Sequence, residues 1–220
     1  MHSAARDNIL TRLREGLGRN PAPVEDVELW EEPAARGGAV LELFLERMRG
    51  VHCEVHLSTE EKWPELLAGE LAAGNISNLL YAPDTRVGRA IDAAGARGVV
   101  FPELKTWKGP AEEFRDELFA DIRTSITTTM GGIAEPGALI VWPTPEEPRL
   151  MSLVPPIHFA VVRAQTIFPT FARALQCLDW AEKHPNNSLL ISGPSKTGDI
   201  ENVLQFGIHG PMRQVVFVVK

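Results

Sequence analysis

Apolar positions fall into blocks of two different periods. In residues 4–17, Ile9, Leu10, Leu13 and Leu17 recur at three- and four-residue spacing and predict an amphipathic helix. Residues 18–33 have no such period. Glu25, Asp26, Glu28, Glu31 and Glu32 among prolines predict an acidic connector, with Leu29 and Trp30 packing on their own domain or anchoring on a neighbouring subunit. From residue 39 the period alternates. Residues 40–48 predict a helix with Leu41, Phe44, Leu45 and Met48 on one face. Residues 51–57 predict a strand with Val51, Cys53, Val55 and Leu57 inward. A helix over 59–73 (Leu66, Leu67 and Leu71 inward), a strand over 76–81, a helix over 85–94 and a short strand over 98–101 follow. This order implies right-handed parallel crossovers and a layered α/β domain.

The second half continues the pattern. Residues 112–119 predict a helix burying Phe114 and Leu118, and 124–129 a hydroxyl-rich strand running into a turn at Gly131-Gly132. Strands over 139–142 and 157–162 flank a turn-rich loop at 146–148, and 165–180 reads as one long helix. Residues 189–191 and 215–219 predict two buried strands. Between them lies the loop Gly193-Pro194-Ser195-Lys196-Thr197-Gly198, then a helix opening at Asp199-Ile200-Glu201 and broken at Gly207. The expected partition is 1–33, an N-terminal helix and connector, and 34–220, one α/β domain.

Composition narrows the function. At 220 residues and 44% hydrophobic the chain can bury one sizeable core. A net charge of −7 with scattered basic residues argues against nucleic acid. No run of 18 apolar residues exists, so no membrane span is expected, and the start lacks the apolar stretch of a secretory signal. Cys53 and Cys177, without a CxxC pair, suggest a reduced, cytoplasmic protein. Two thiols cannot hold an iron–sulfur cluster or a structural zinc, and no G-x-G-x-x-G follows a strand, so no cofactor is expected. His52 and His56 fall in a predicted strand, too far apart to share one metal ion, so no metal is expected either.

Candidate chemistry gathers in polar segments. Gly193, Ser195, Lys196 and Thr197, before a helix opening at Asp199, have the makings of an anion site, because helix-terminal N–H groups and a dipole favour negative charge. The alternative is capping by Ser195 or Thr197, with Asp199 and Glu201 answering the dipole. Thr128 and Thr129 sit where ligand loops of open sheets lie, although strand preference also explains them. Arg149 and His158 flank a proline pair; a strand-end histidine can equally satisfy itself against backbone. Glu135, between glycines, is a candidate general base or nucleophile, or a solvated turn acid. A Ser195–His209–Asp199 triad is disfavoured: no G-x-S-x-G elbow exists, and a helix over 199–206, about 12 Å long, would separate Ser195 from His209. Three segments, 128–135, 149–158 and 193–199, are expected to leave the carboxyl ends of strands, at least two of them sharing a cleft, with His209 as a further member.

Four motifs occur in order: Ile133-Ala134-Glu135-x-Gly137; Arg149-x-x-Ser152-Leu153-x-Pro155-Pro156-x-His158; Gly193-Pro194-Ser195-Lys196-Thr197-x-Asp199-Ile200-Glu201; and Gly207-x-His209-Gly210-Pro211. Together, over residues 39–220, they resemble the lactate-utilisation LUD-domain family, specifically its short C-type component. Pro136 and Ala138 stand where the family pattern has threonines, and Gly198 where it has alanine. The resemblance implies a three-layer α/β/α sandwich with a mostly parallel sheet, similar to the ribose-phosphate isomerase/glucosamine-phosphate deaminase/CoA-transferase group. It also implies a role in bacterial oxidation of L-lactate to pyruvate, beside iron–sulfur partner proteins. With no cluster-grade cysteine set that role is expected to be non-redox, and the chemistry of the Gly193 loop favours a small carboxylate or phosphate as ligand. A homo-oligomer is allowed. The alternative is a stand-alone enzyme on a phosphorylated or acyl-CoA metabolite, since fold alone does not confer activity. On either reading Glu135 and His209 are the candidate catalytic residues.

Overall fold

The structure is a computed structural model and describes residues 4–17, 38–107, 109, 111–183, 185–198, 204–206 and 210–220. The chain divides into two compact units, Met1–Pro33 and Ala34–Lys220. In the first, helix α1 (Ala4–Leu17) forms over the predicted stripe, and Ile9 and Leu13 are exposed.

The second unit runs α2 (Gly38–Gly50), β1 (Glu54–Ser58), α3 (Trp63–Ala73), β2 (Asn78–Tyr81), α4 (Arg86–Ala96), β3 (Glu103–Thr106), α5 (Ala111–Ala120) and β4 (Thr124–Thr128). Then come β5 (Gly131–Ile133), β6 (Ala138–Val141), α6 (Leu150–Leu153), β7 (Ile157–Arg163) and β8 (Ile167–Phe168). It closes with α7 (Phe171–Cys177), α8 (Trp180–Lys183), β9 (Leu189–Ile191), β10 (Lys196–Gly198), β11 (Leu204–Phe206) and β12 (Arg213–Val219).

Six strands form a parallel sheet in the order β1-β12-β7-β4-β2-β3. β7 and β12, buried on both faces, are nearly continuous apolar runs, whereas β4 beside them buries hydroxyl side chains. Phe159 and Val161 of β7 and Val215 and Phe217 of β12 pack with Trp63, Leu67 and Leu71 of α3 and Ile91 of α4. On the other face, Ala160, Val162, Val216 and Val218 meet Phe44 and Met48 of α2 and Leu139 of β6. This is the expected three-layer α/β fold, with a second sheet, β8-β5-β6-β9, built into one helical layer.

The second sheet accounts for most departures from the sequence reading. The Gly131-Gly132 turn is strand β5 instead: a Cβ at Gly132 would strike the Phe44 ring, so glycine lets β5 lie close against α2. The long helix over 165–180 is broken. Ile167–Phe168 pairs with β5, Pro169 interrupts, and Thr170 starts α7 afresh by accepting a bond from the Arg173 N–H. Residues 189–191 form an edge strand with Leu190 exposed. Elsewhere the third strand lies at Glu103–Thr106, because 98–101 is spent ending α4, with Gly98 at φ +97° and the Val99 N–H bonded to the Ala94 carbonyl. Leu57 points outward on β1, a sheet edge, and Leu66 is exposed on α3. Among the described residues, no helix is long and apolar enough to cross a membrane.

Candidate functional site

The loop at Gly193 joins the amino ends of the parallel strands, not their carboxyl ends. Gly193, at φ +85°, presses its backbone on the Val51 carbonyl just before β1. The Ser195 N–H donates to the Pro211 carbonyl (2.9 Å) just before β12. Gly210 faces the Ser195 Cβ and the Leu153 carbonyl, at 3.0 and 3.5 Å from where its own Cβ would stand. The β5–β6 turn reaches the same end: the Ser192 hydroxyl donates to the Gly137 carbonyl (2.9 Å), and Gly137 abuts Arg47 at the end of α2. Glu135 is exposed on this turn. Arg149, also exposed, precedes α6.

The helix expected over 199–206 does not reach its far end, because Leu204–Phe206 is a strand; residues 199–203 lie outside the described residues. Lys196–Gly198 pairs antiparallel with Leu204–Phe206. Ile200, Val203 and Leu204 have helical spacing, but strand pairing prevails at Leu204. The helix terminus invoked for an anion falls on residues 199–201, outside the described residues; what the described residues offer at this end is Lys196 and the loop backbone, with Thr197 in β10. Asp199 and His209 lie outside the described residues.

A buried polar row underlies the loop. Ser125, His158 and Gln214 are aligned across β4, β7 and β12. His158 is fully buried, its Nδ1 paired with the Gln214 Oε1 at 3.0 Å and its Nε2 with the Thr127 hydroxyl at 2.8 Å. Burial pushes its pKa down to about 4, so it is a neutral core residue rather than an exposed ligand contact. Ser125 donates to the Met151 carbonyl. The Ser152 hydroxyl and the Gln214 Nε2 are buried and have no hydrogen-bond partner among the described residues. Leaving such donors unmade costs about 1–3 kcal/mol each. Cys53 is buried beside the same loop; burial pushes its thiol up to about 12, opposed by the Lys196 charge and a hydrogen bond from Gly193.

Thr128 and Thr129 stand apart, at the carboxyl end of β4. The Thr128 N–H and hydroxyl both donate to Glu147 (3.0 and 2.9 Å), and the Thr129 hydroxyl donates to the Val161 carbonyl (2.9 Å). Burial raises the Glu147 pKa, against the bonds from Thr128. A third polar group joins Glu54, His56 and Glu70 at the amino end of β1. Arg213 bonds both carboxylates there, reaching Glu70 at 2.7 Å, and its pKa is raised chiefly by Glu54. A guanidinium thus fills the place a cation would take.

Residues 41–219 match the LUD domain family. The chain belongs to that family. An uncharacterized protein of Neisseria meningitidis is 31% identical over 98% of this chain and 94% of its own length. A protein named Lactate utilization protein C, from Macrococcus caseolyticus, is 35% identical over 82% of this chain and 78% of its own. The crystal structure of a DUF162 family protein from Deinococcus radiodurans shares the fold, with a TM-score of 0.61, 19% identity, and coverage of 82% of this chain and 96% of that one.

In this LUD-domain chain, the turn at Glu135, the α6 segment, the Gly193 loop and Gly210-Pro211 therefore meet at the amino ends of the strands, while Thr128 and Thr129 serve a different end. Gln214 and Glu147 escaped the sequence reading. Gln214 left one trace, a polar residue at the head of an apolar strand; Glu147 left none, being one of two adjacent acids in a loop.

Proposed function

We propose that this protein is a non-redox component of an L-lactate utilisation system, binding a small carboxylate or phosphate at the amino-end assembly and working in the cytoplasm beside iron–sulfur partner proteins. The kinship with Lactate utilization protein C over most of the chain carries this reading. The chemistry of the assembly supports it. Lys196 supplies charge, and the Gln214 amide and Ser152 hydroxyl are buried donors that an anion's oxygens would satisfy. Electron transfer falls to the partners, because Cys53 is buried and Cys177 exposed on α7, leaving no thiolate set for a cluster.

The test is a thermal-shift panel of L-lactate, pyruvate, phosphate, sugar phosphates and CoA esters, with and without the partner proteins. A carboxylate or phosphate should raise the melting temperature, and Lys196→Ala should remove that rise while the unliganded protein melts within about 0.5 kcal/mol of the parent stability, as an exposed substitution does. An unchanged rise in the variant rejects the assembly as the anion site. Turnover of an acyl-CoA or sugar phosphate by the isolated chain would favour a stand-alone enzyme.

A further inference from the structure

The opposite end of the sheet holds a cleft that the lactate reading leaves unused. β2 continues through α4 to β3 on one side, whereas β4 leads on to β7 on the other. Loops leaving two adjacent strands in opposite directions open a crevice outside their carboxyl ends, the usual ligand position in such sheets. Here the crevice is a cavity of about 320 Å³, at the small end of ligand pockets. Its shape is fixed from both sides. Gly88 lets α4 lie against the Ala82 carbonyl, where any Cβ would collide. Glu147 ties the loop after β6 to the end of β4 through Thr128.

The lining selects the guest. Trp142 and Met130 form an apolar wall, and Trp142 is held edge-on to Trp180 at 5.1 Å. Asp84 and Glu146 are exposed carboxylates at the cleft, and Glu147 is a third beneath them. The lining cation, Arg86, is already paired with Glu60 at 2.6 Å. A bare carboxylate or phosphate would meet excess negative charge. An uncharged guest with a flat face for the wall and hydroxyls for the carboxylates would be matched at both.

We propose that this cleft binds a nucleoside, its base against Trp142 and Met130 and its ribose hydroxyls donating to Asp84 and Glu146, with any phosphate kept outside. The test titrates the full chain with adenosine, AMP, D-ribose and L-lactate by calorimetry. Adenosine should bind; AMP should bind several-fold more weakly, and ribose and lactate more weakly still. Asp84→Asn and Glu146→Gln, both exposed positions, should each weaken adenosine about tenfold, the worth of a hydrogen bond to a charged group. Glu146→Lys should narrow the gap between AMP and adenosine. No adenosine binding at millimolar concentration, AMP or lactate binding as tightly as adenosine, ribose matching it, or unchanged affinity in both neutralised variants would each overturn the proposal.

Discussion

His158 shows how one residue sets a pH response. It is fully buried and its pKa lies near 4, below its ordinary 6.5. Between those values the unfolded chain takes up a proton that the folded chain refuses. The contribution of this residue is therefore complete above pH 6.5 and is lost as pH falls toward 4, an effect of about 3 kcal/mol. Urea unfolding at pH 7.5 and pH 4.5 should show that loss, and His158→Gln should shrink it; equal acid sensitivity in the variant would refute the assignment. The cysteines make a second contrast. Cys177 is exposed, while burial pushes the Cys53 thiol up to about 12. A maleimide should label one site per native chain and both in denaturant.

At the scale of elements, α4 tests how tightly a helix is seated. Alanine is normally favoured over glycine inside a helix by about 1 kcal/mol. At Gly88 the sign should reverse, because the new methyl meets the Ala82 carbonyl and the Pro83 backbone, and overpacking costs about 1–3 kcal/mol. A lowered urea midpoint for Gly88→Ala checks this. The same element shows what the sequence could disclose. Its start, its Thr85 cap and its buried Val87 and Ile91 follow from local rules, as do β12, α2 and α5. What could not be read locally was decided by distant partners. Ile167–Phe168 is a strand because β5 lies beside it, and Leu204–Phe206 because Lys196–Gly198 does.

At the scale of the whole molecule, the motifs disclosed which segments belong together, but not at which end of the sheet. That depends on the direction of β5 and on the loop from β9 crossing to the start of β12, and neither has a sequence signature. Two sites at opposite ends of one sheet would suit a protein that holds a metabolite without oxidising it. Purified protein should accordingly be colourless, and lactate should not reduce an artificial acceptor through it alone. A stoichiometric flavin or iron–sulfur spectrum would reject that division of labour.

The sheet also has a consequence for how the protein is made. β12, last of the strands in chain order, sits in the interior between β1 and β7, pairing Glu54 with Val215 and Ile157 with Arg213. Until residues 213–219 have been synthesised, β1 has no neighbour and the apolar flank of β7 lies open. Such distant pairings make folding slow, and nascent chains stalled short of β12 should be the species that chaperones capture and that aggregate when chaperones are scarce.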